Sequence, residues 1–187
     1  YFKRYFSQFM KNIFLRDRLE FLIFFTTSRC NCRCEICFYW QELNRSDDLS
    51  ADEIKKISGS MGTFRTLLLS GGEPFLRKDL YDICRLFVEN NDISILAVPT
   101  NGTLPEETAA FCSRILSEHP RLTLSVAVSI DGSRELHDSM RGVGGVFDKA
   151  VLTLNMLSEL KKHHDKLELV VNTVITNRNI DQLKPLM

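Results

Sequence analysis

Five short apolar runs recur along the chain, each followed by a polar or glycine-bearing turn, with longer stretches of helical spacing between them. Residues 21–25, 64–69, 93–98, 122–130 and 168–175 each read as a buried strand, because short apolar runs bounded by polar residues bury both faces. Ser50-Ala51-Asp52-Glu53 is a capping-box pattern that opens a helix through Ile57. Residues 78–89 set Leu80, Ile83, Cys84, Phe87 and Val88 on one helical face. Pro105, with Glu106 and Glu107 after it, begins another helix. The glycines at 142–145 read as a flexible hinge into a helix running to about Leu160, and a further helix starts near Asp181. Alternation of strand and helix predicts an α/β fold of parallel βα units, curled by right-handed crossovers into a barrel or part of one. No repeat of solenoid period is present.

Residues 1–19 carry apolar pairs at helical spacing opposite a basic face. Lys3, Arg4, Lys11, Arg16 and Arg18 against Asp17 give that segment a charge of +4. A basic amphipathic helix can lie on a membrane surface or meet a partner. The reading that outweighs these is a helix packed across the bottom or edge of the barrel, so the domains expected are this helix over 1–19 and a core over 20–187.

With 187 residues and 44% hydrophobic content, the chain is long enough for one domain with a real core. No apolar stretch approaches the roughly 20 residues of a membrane span, and no signal-peptide pattern is present. The formal net charge is zero, with 24 basic and 24 acidic residues, which argues against nucleic acid as a required partner. Four of the six cysteines crowd into residues 30–37, which is no disulfide framework, and points to a reducing cytoplasm. Cys84 and Cys112 read as core residues.

The crowded cysteines follow directly on the first strand. A strand's C-terminal end is where parallel α/β folds build their sites. Thiolates ligate iron-sulfur clusters and zinc. Two sets remain open: Cys30, Cys34 and Cys37 with spacing C-x3-C-x2-C, or those three with Cys32 as a closed four-thiolate site for zinc or a cluster. The next strand runs into Ser70-Gly71-Gly72-Glu73-Pro74, where glycines permit close backbone approach and a carboxylate can accept from an ammonium group. The third ends in Thr100-Asn101-Gly102, which also suits a tight turn. The fourth ends in Ser129-Ile130-Asp131-Gly132, with His137 and Arg141 following. There Asp131 reads as a turn residue and His137 as a packing or capping group.

Taken in order, C-x3-C-x2-C, GGEP, TNG and SIDG with HDSMRG resemble the radical S-adenosylmethionine (radical SAM) superfamily. The resemblance is to the subgroup with SPASM or twitch-type C-terminal extensions, and it covers roughly residues 21–187. It implies a partial (β/α)6 TIM-like barrel, of which five βα units are visible here, with a sixth and any C-terminal domain expected beyond Met187. By the same resemblance Cys30, Cys34 and Cys37 hold three irons of a [4Fe-4S] cluster, and Asn31 is a residue common in such loops. The open iron takes the amino and carboxylate groups of S-adenosylmethionine, and reductive cleavage gives a 5′-deoxyadenosyl radical that abstracts hydrogen from a substrate. Gly71, Gly72 and Glu73 would hold the methionine amino group, Ser129 the ribose or carboxylate, and Arg141 the carboxylate, with Asn101 nearby. Ile36 stands where the family often has an aromatic residue against the adenine, and Phe38, Tyr39 and Trp40 follow. Cys32 is then a bystander. An external electron donor of flavodoxin or ferredoxin type, a small-molecule or peptide substrate, and an anaerobic cytoplasmic setting are also implied. A non-catalytic four-cysteine metal or electron-transfer module is the alternative.

Overall fold

The computed structural model describes residues 19–45 and 47–183. The helix expected at 1–19 therefore lies outside the described residues, apart from Leu19. Five strands form one sheet: β1 (Phe21–Thr27), β2 (Thr66–Gly71), β3 (Ile95–Thr100), β4 (Thr123–Ser129) and β5 (Leu167–Asn172). They lie in chain order, and every neighbouring pair is parallel. Parallel neighbours need a crossover, and helices supply them. These are α1 (Ala51–Ser60), α2 (Leu80–Asn91), α3 (Pro105–Glu118), α4 (Arg134–Arg141) and α5 (Val146–Lys161); a short α6 (Ile180–Leu183) follows β5. The result is an α/β partial barrel. Among the described residues no helix is long and apolar enough to cross a membrane.

Side-chain alternation along the strands separates two faces. Leu67, Leu69, Leu96, Val98, Leu124, Val126 and Val128 point to the helices and are buried to within 1% of complete. The opposite face is only half covered, and on β1 it leaves Phe21, Ile23 and Phe25 about half exposed. Under β1 and β2, Phe87 of α2 packs between Phe24 and Phe64, at ring-centroid distances of 5.4 and 6.2 Å. Cys84 and Cys112 are fully buried in this core, and burial pushes the Cys112 thiol up to about 12.

Two of the strands sit further along the chain than their apolar runs suggest. β2 and β3 each begin two residues later than expected and run into their turns, because Gly71 still pairs with Thr27 and Thr100 with Val128. The ladder thus delivers the polar turn residues rigidly at the edge of the sheet. Helix α4 is unforeseen: its sequence RELHDSMR is mostly charged and polar, with only Leu136 and Met140 apolar, and only His137 and Met140 are buried. The glycines at 142–145 are no flexible hinge. Gly142 takes a left-handed conformation (φ 66°) to close α4, and the Asp138 carboxylate accepts from the backbone of Gly145 and Phe147 at 2.6 and 2.8 Å.

Phe87 makes a direct test of this packing. Truncation to alanine is expected to cost about 3–5 kcal/mol, the range for a buried phenylalanine, read as a lowered urea midpoint with an unchanged slope.

Candidate cofactor site at the strand ends

The loop after β1 is held from beneath by residues further along the chain. Thr27 Oγ1 and the Ser28 N–H both donate to the Asp48 carboxylate at 2.6 Å. Asn44 adopts φ 59°, a left-handed conformation that asparagine tolerates better than most residues. From there it donates to the Ser28 carbonyl at 2.8 Å and accepts from the Cys30 N–H at 3.1 Å. The far side of the loop is zipped to the end of α4: Arg33 N–H donates to the Arg141 carbonyl at 2.9 Å and Glu35 N–H to that of Met140 at 3.1 Å. These backbone bonds flank Cys34, and Gly142 packs directly against the Arg33 carbonyl.

The glycine pair after β2 serves this loop too. Gly72 N–H donates to the Thr27 carbonyl at 2.7 Å and Glu73 N–H to that of Arg29 at 2.8 Å. A Cβ on Gly72 would overlap the Arg29 carbonyl oxygen, and one on Gly71 (φ 100°) that of Thr27. The side-chain-free turn lets two backbones touch, rather than merely clearing room for a ligand.

Glu73, only 2% exposed, joins this turn to the next. One carboxylate oxygen accepts from Thr100 Oγ1 at 2.8 Å and the other from the Asn101 N–H at 2.7 Å. Burial pushes its carboxyl up to about 7, against the opposing pull of these donors. Asn101 in turn donates to the side chain of Asn31 at 2.8 Å, and Asn31 to Thr103 Oγ1 at 2.7 Å. Asn31 is thus a brace for the cysteine loop.

All nine expected site residues meet on one cavity of about 250 Å³. Cys30, Cys34 and Cys37 line it from the first loop, and Gly71, Gly72 and Glu73 from the second. Asn101, Ser129 and Arg141 complete the set. Ile36 and Phe38 also reach it, and Phe25, Phe38 and Tyr39 form an aromatic cluster beside it with centroid distances of 5.1 to 6.5 Å. Asn172 and Val174 line the cavity and went unnoticed in the sequence. Asn172 had a signal, since it closes β5 in register with Ser129.

Cys32 stands apart. It is 2% exposed and lies off the cavity. Hydrogen bonding with Cys32 is the largest cause pulling Cys34 down to about 6 and Cys30 to about 7, and it raises Cys32 itself. Among the described residues no three side chains converge as ligands of one metal ion. Three thiols spread around a cavity suit a polynuclear cluster, whose irons stand apart.

One expectation about the fourth loop is corrected. Asp131 is more than a turn residue: its carboxylate is fully buried and accepts from Arg141 Nε and Nη2 at 2.8 and 2.7 Å. Arg141 closes α4 with its side chain 12% exposed, and its Nη1 reaches the Cys34 sulfur at 3.7 Å. Burial opposes its charge, yet Asp131 and Cys34 together raise its pKa above the usual value. His137 is buried and accepts from the Asp131 N–H at 3.1 Å, so its proton sits on Nε2; burial, then Arg141, lower its pKa.

Two measurements on the apoprotein follow. Gly72→Ala is expected to cost about 1–3 kcal/mol by overpacking and to speed amide hydrogen exchange over residues 28–34. For Glu73, the folded pKa near 7 lies above the ordinary 4.5, so its favourable contribution is complete below pH 4.5 and is lost as pH rises through 7. The urea midpoint of the wild type minus that of Glu73→Gln should therefore fall across that window. A pH-independent difference would contradict the assignment.

Residues 24–187 match the family model described as the Radical SAM superfamily. Among curated proteins, the chain is 33% identical over 150 residues to an Fe-coproporphyrin III synthase of Methanosarcina barkeri, covering 78% of this chain and 36% of that protein. It is 26% identical to a cysteine-type anaerobic sulfatase-maturating enzyme of Clostridium novyi, covering 88% and 46%. Among solved structures it resembles anSMEcpe with bound AdoMet, at TM-score 0.61 and 26% identity, over 90% of this chain and 49% of the other. The chain spans half or less of the length of these relatives. The family's cofactors are a [4Fe-4S] cluster and S-adenosylmethionine, and its members are enzymes. The chain belongs to the radical SAM superfamily.

Proposed function

We propose that residues 20–187 form the core of an enzyme that cleaves S-adenosylmethionine reductively and directs the resulting radical at a carbon–hydrogen bond of its substrate. The observation that carries this reading is the convergence of three thiols, a carboxylate, an arginine and the ends of four strands on one cavity. Cys30, Cys34 and Cys37 hold the cluster and leave one iron to the cofactor. When bound at these three thiols, the cluster would supply the one-electron reduction that cleaves the sulfonium to a 5′-deoxyadenosyl radical.

This chain's residues bind and orient. The Gly71-Gly72-Glu73 turn receives the methionine amino group. Arg141 takes the carboxylate: Asp131 and Cys34 use three of its five N–H groups, leaving one on each terminal nitrogen, the fork that suits a carboxylate. Ser129 and Asn101 contact the rest of the cofactor, and Ile36 with Phe38 packs against its adenine. Substrate approaches along the half-covered sheet face, past Phe21, Ile23 and Phe25. The relatives and neighbours include proteins named for tetrapyrrole and nucleotide chemistry and one solved with a bound peptide, so a small molecule and a peptide both stand as substrate classes. The electron comes from an external flavodoxin or ferredoxin-type donor in an anaerobic cytoplasm.

The test is production of 5′-deoxyadenosine from S-adenosylmethionine and dithionite after anaerobic reconstitution. Cys34→Ala is expected to lower it at least about 100-fold, close to 3 kcal/mol in barrier, whereas Cys32→Ala retains it. A wild-type protein that forms no 5′-deoxyadenosine and whose bound metal is lost in Cys32→Ala as well as in Cys34→Ala would instead favour the four-thiolate module.

A further inference from the structure

Arg141 is built onto Cys34 more firmly than binding a cofactor carboxylate requires. Its backbone carbonyl is bonded to the residue before Cys34, and the preceding carbonyl to the residue after it. This two-point zipper fixes the helix end over that one cysteine. The guanidinium then donates to the Cys34 sulfur while Asp131 grips its other edge. Asp131 is itself pinned. Its second oxygen accepts from the Val174 N–H at 3.2 Å, its carbonyl from Asn179 Nδ2 at 2.8 Å, and its N–H donates to His137. Such anchoring on a fully buried carboxylate exceeds what a turn needs.

The geometry points to Arg141 and Asp131 as an opposed pair of charges that sets the reduction potential of the cluster carried by Cys34. This rests on the reading that Cys30, Cys34 and Cys37 hold a [4Fe-4S] cluster. Adding one electron makes the cluster more negative. A donor hydrogen bond and a positive charge at a ligand sulfur favour that state and raise the potential, and the poorly solvated surroundings strengthen the effect. Asp131 opposes it from one residue further away. Asp131 is therefore a positioning residue that also trims the field Arg141 applies, and the two should move the potential in opposite directions when removed.

The experiment is a dithionite titration, with redox mediators, of the anaerobically reconstituted full chain, following the electron paramagnetic resonance signal of the reduced cluster. Arg141→Met is expected to cut the ratio of reduced to oxidised cluster at the wild-type midpoint about tenfold, equivalent to about 59 mV for a one-electron couple. Arg141→Lys, which keeps the charge but loses the fork, should fall between. Asp131→Asn should shift the midpoint upward. Iron content and thermal unfolding of each variant report folding, and the lysine variant carries the test if the asparagine variant does not fold. A midpoint unchanged in Arg141→Met, or downward shifts in both Arg141→Met and Asp131→Asn, overturns the inference while leaving the cluster assignment standing. A wild-type protein that takes up no cluster overturns both.

Discussion

One buried carboxylate holds the strand ends in register. Glu73 takes its place because its own N–H is bonded to the loop after β1, and its two oxygens accept from the start of the loop after β3. Burying a carboxylate is costly unless donors meet it, and here three neighbouring turns share one. The consequence is geometric: the cysteine loop, the glycine turn and the asparagine turn cannot drift independently. A cavity assembled from separate loops thereby acquires the fixed shape that binding a small, charged cofactor demands.

Charge within the cavity is arranged in the same economical way. The Arg141 cation, which burial alone would disfavour, is held between the buried Asp131 carboxylate and the Cys34 sulfur. Removing either neighbour would leave it incompletely compensated, the situation in which buried ion pairs matter most. Cys32 belongs to this layer as well. Its side chain is buried and does not line the cavity, and its N–H donates to the Cys30 sulfur at 3.5 Å. What looks in the sequence like a surplus thiol is a buried residue that braces the loop at Cys30.

The order of strands and helices was legible because parallel βα units write apolar runs and amphipathic stretches in alternation. The motif residues were legible because strand ends are where such folds place polar turns. Other features were hidden by long-range geometry. Asn44 and Asp48 brace the cysteine loop from 14 to 20 residues away, a relation no local pattern carries. Helix α4 is short and charged, with two apolar residues in eight, and its end is held by backbone bonds from Arg33 and Glu35. Asp131 looked like half of an Asp-Gly turn, since its partner lies a helix away at Arg141. The glycines at 142–145 looked flexible because glycine often is, yet Gly142 is there to let α4 end against the Arg33 carbonyl.

The account depends on a cluster with three protein thiolates and one iron free to receive a ligand. The electron paramagnetic resonance spectrum of the reduced, reconstituted protein, recorded with and without S-adenosylmethionine, tests this most directly. An open iron predicts that the signal changes shape and g-values when the cofactor is added. A spectrum indifferent to the cofactor would mean that protein sulfur already closes every iron, and would contradict the account.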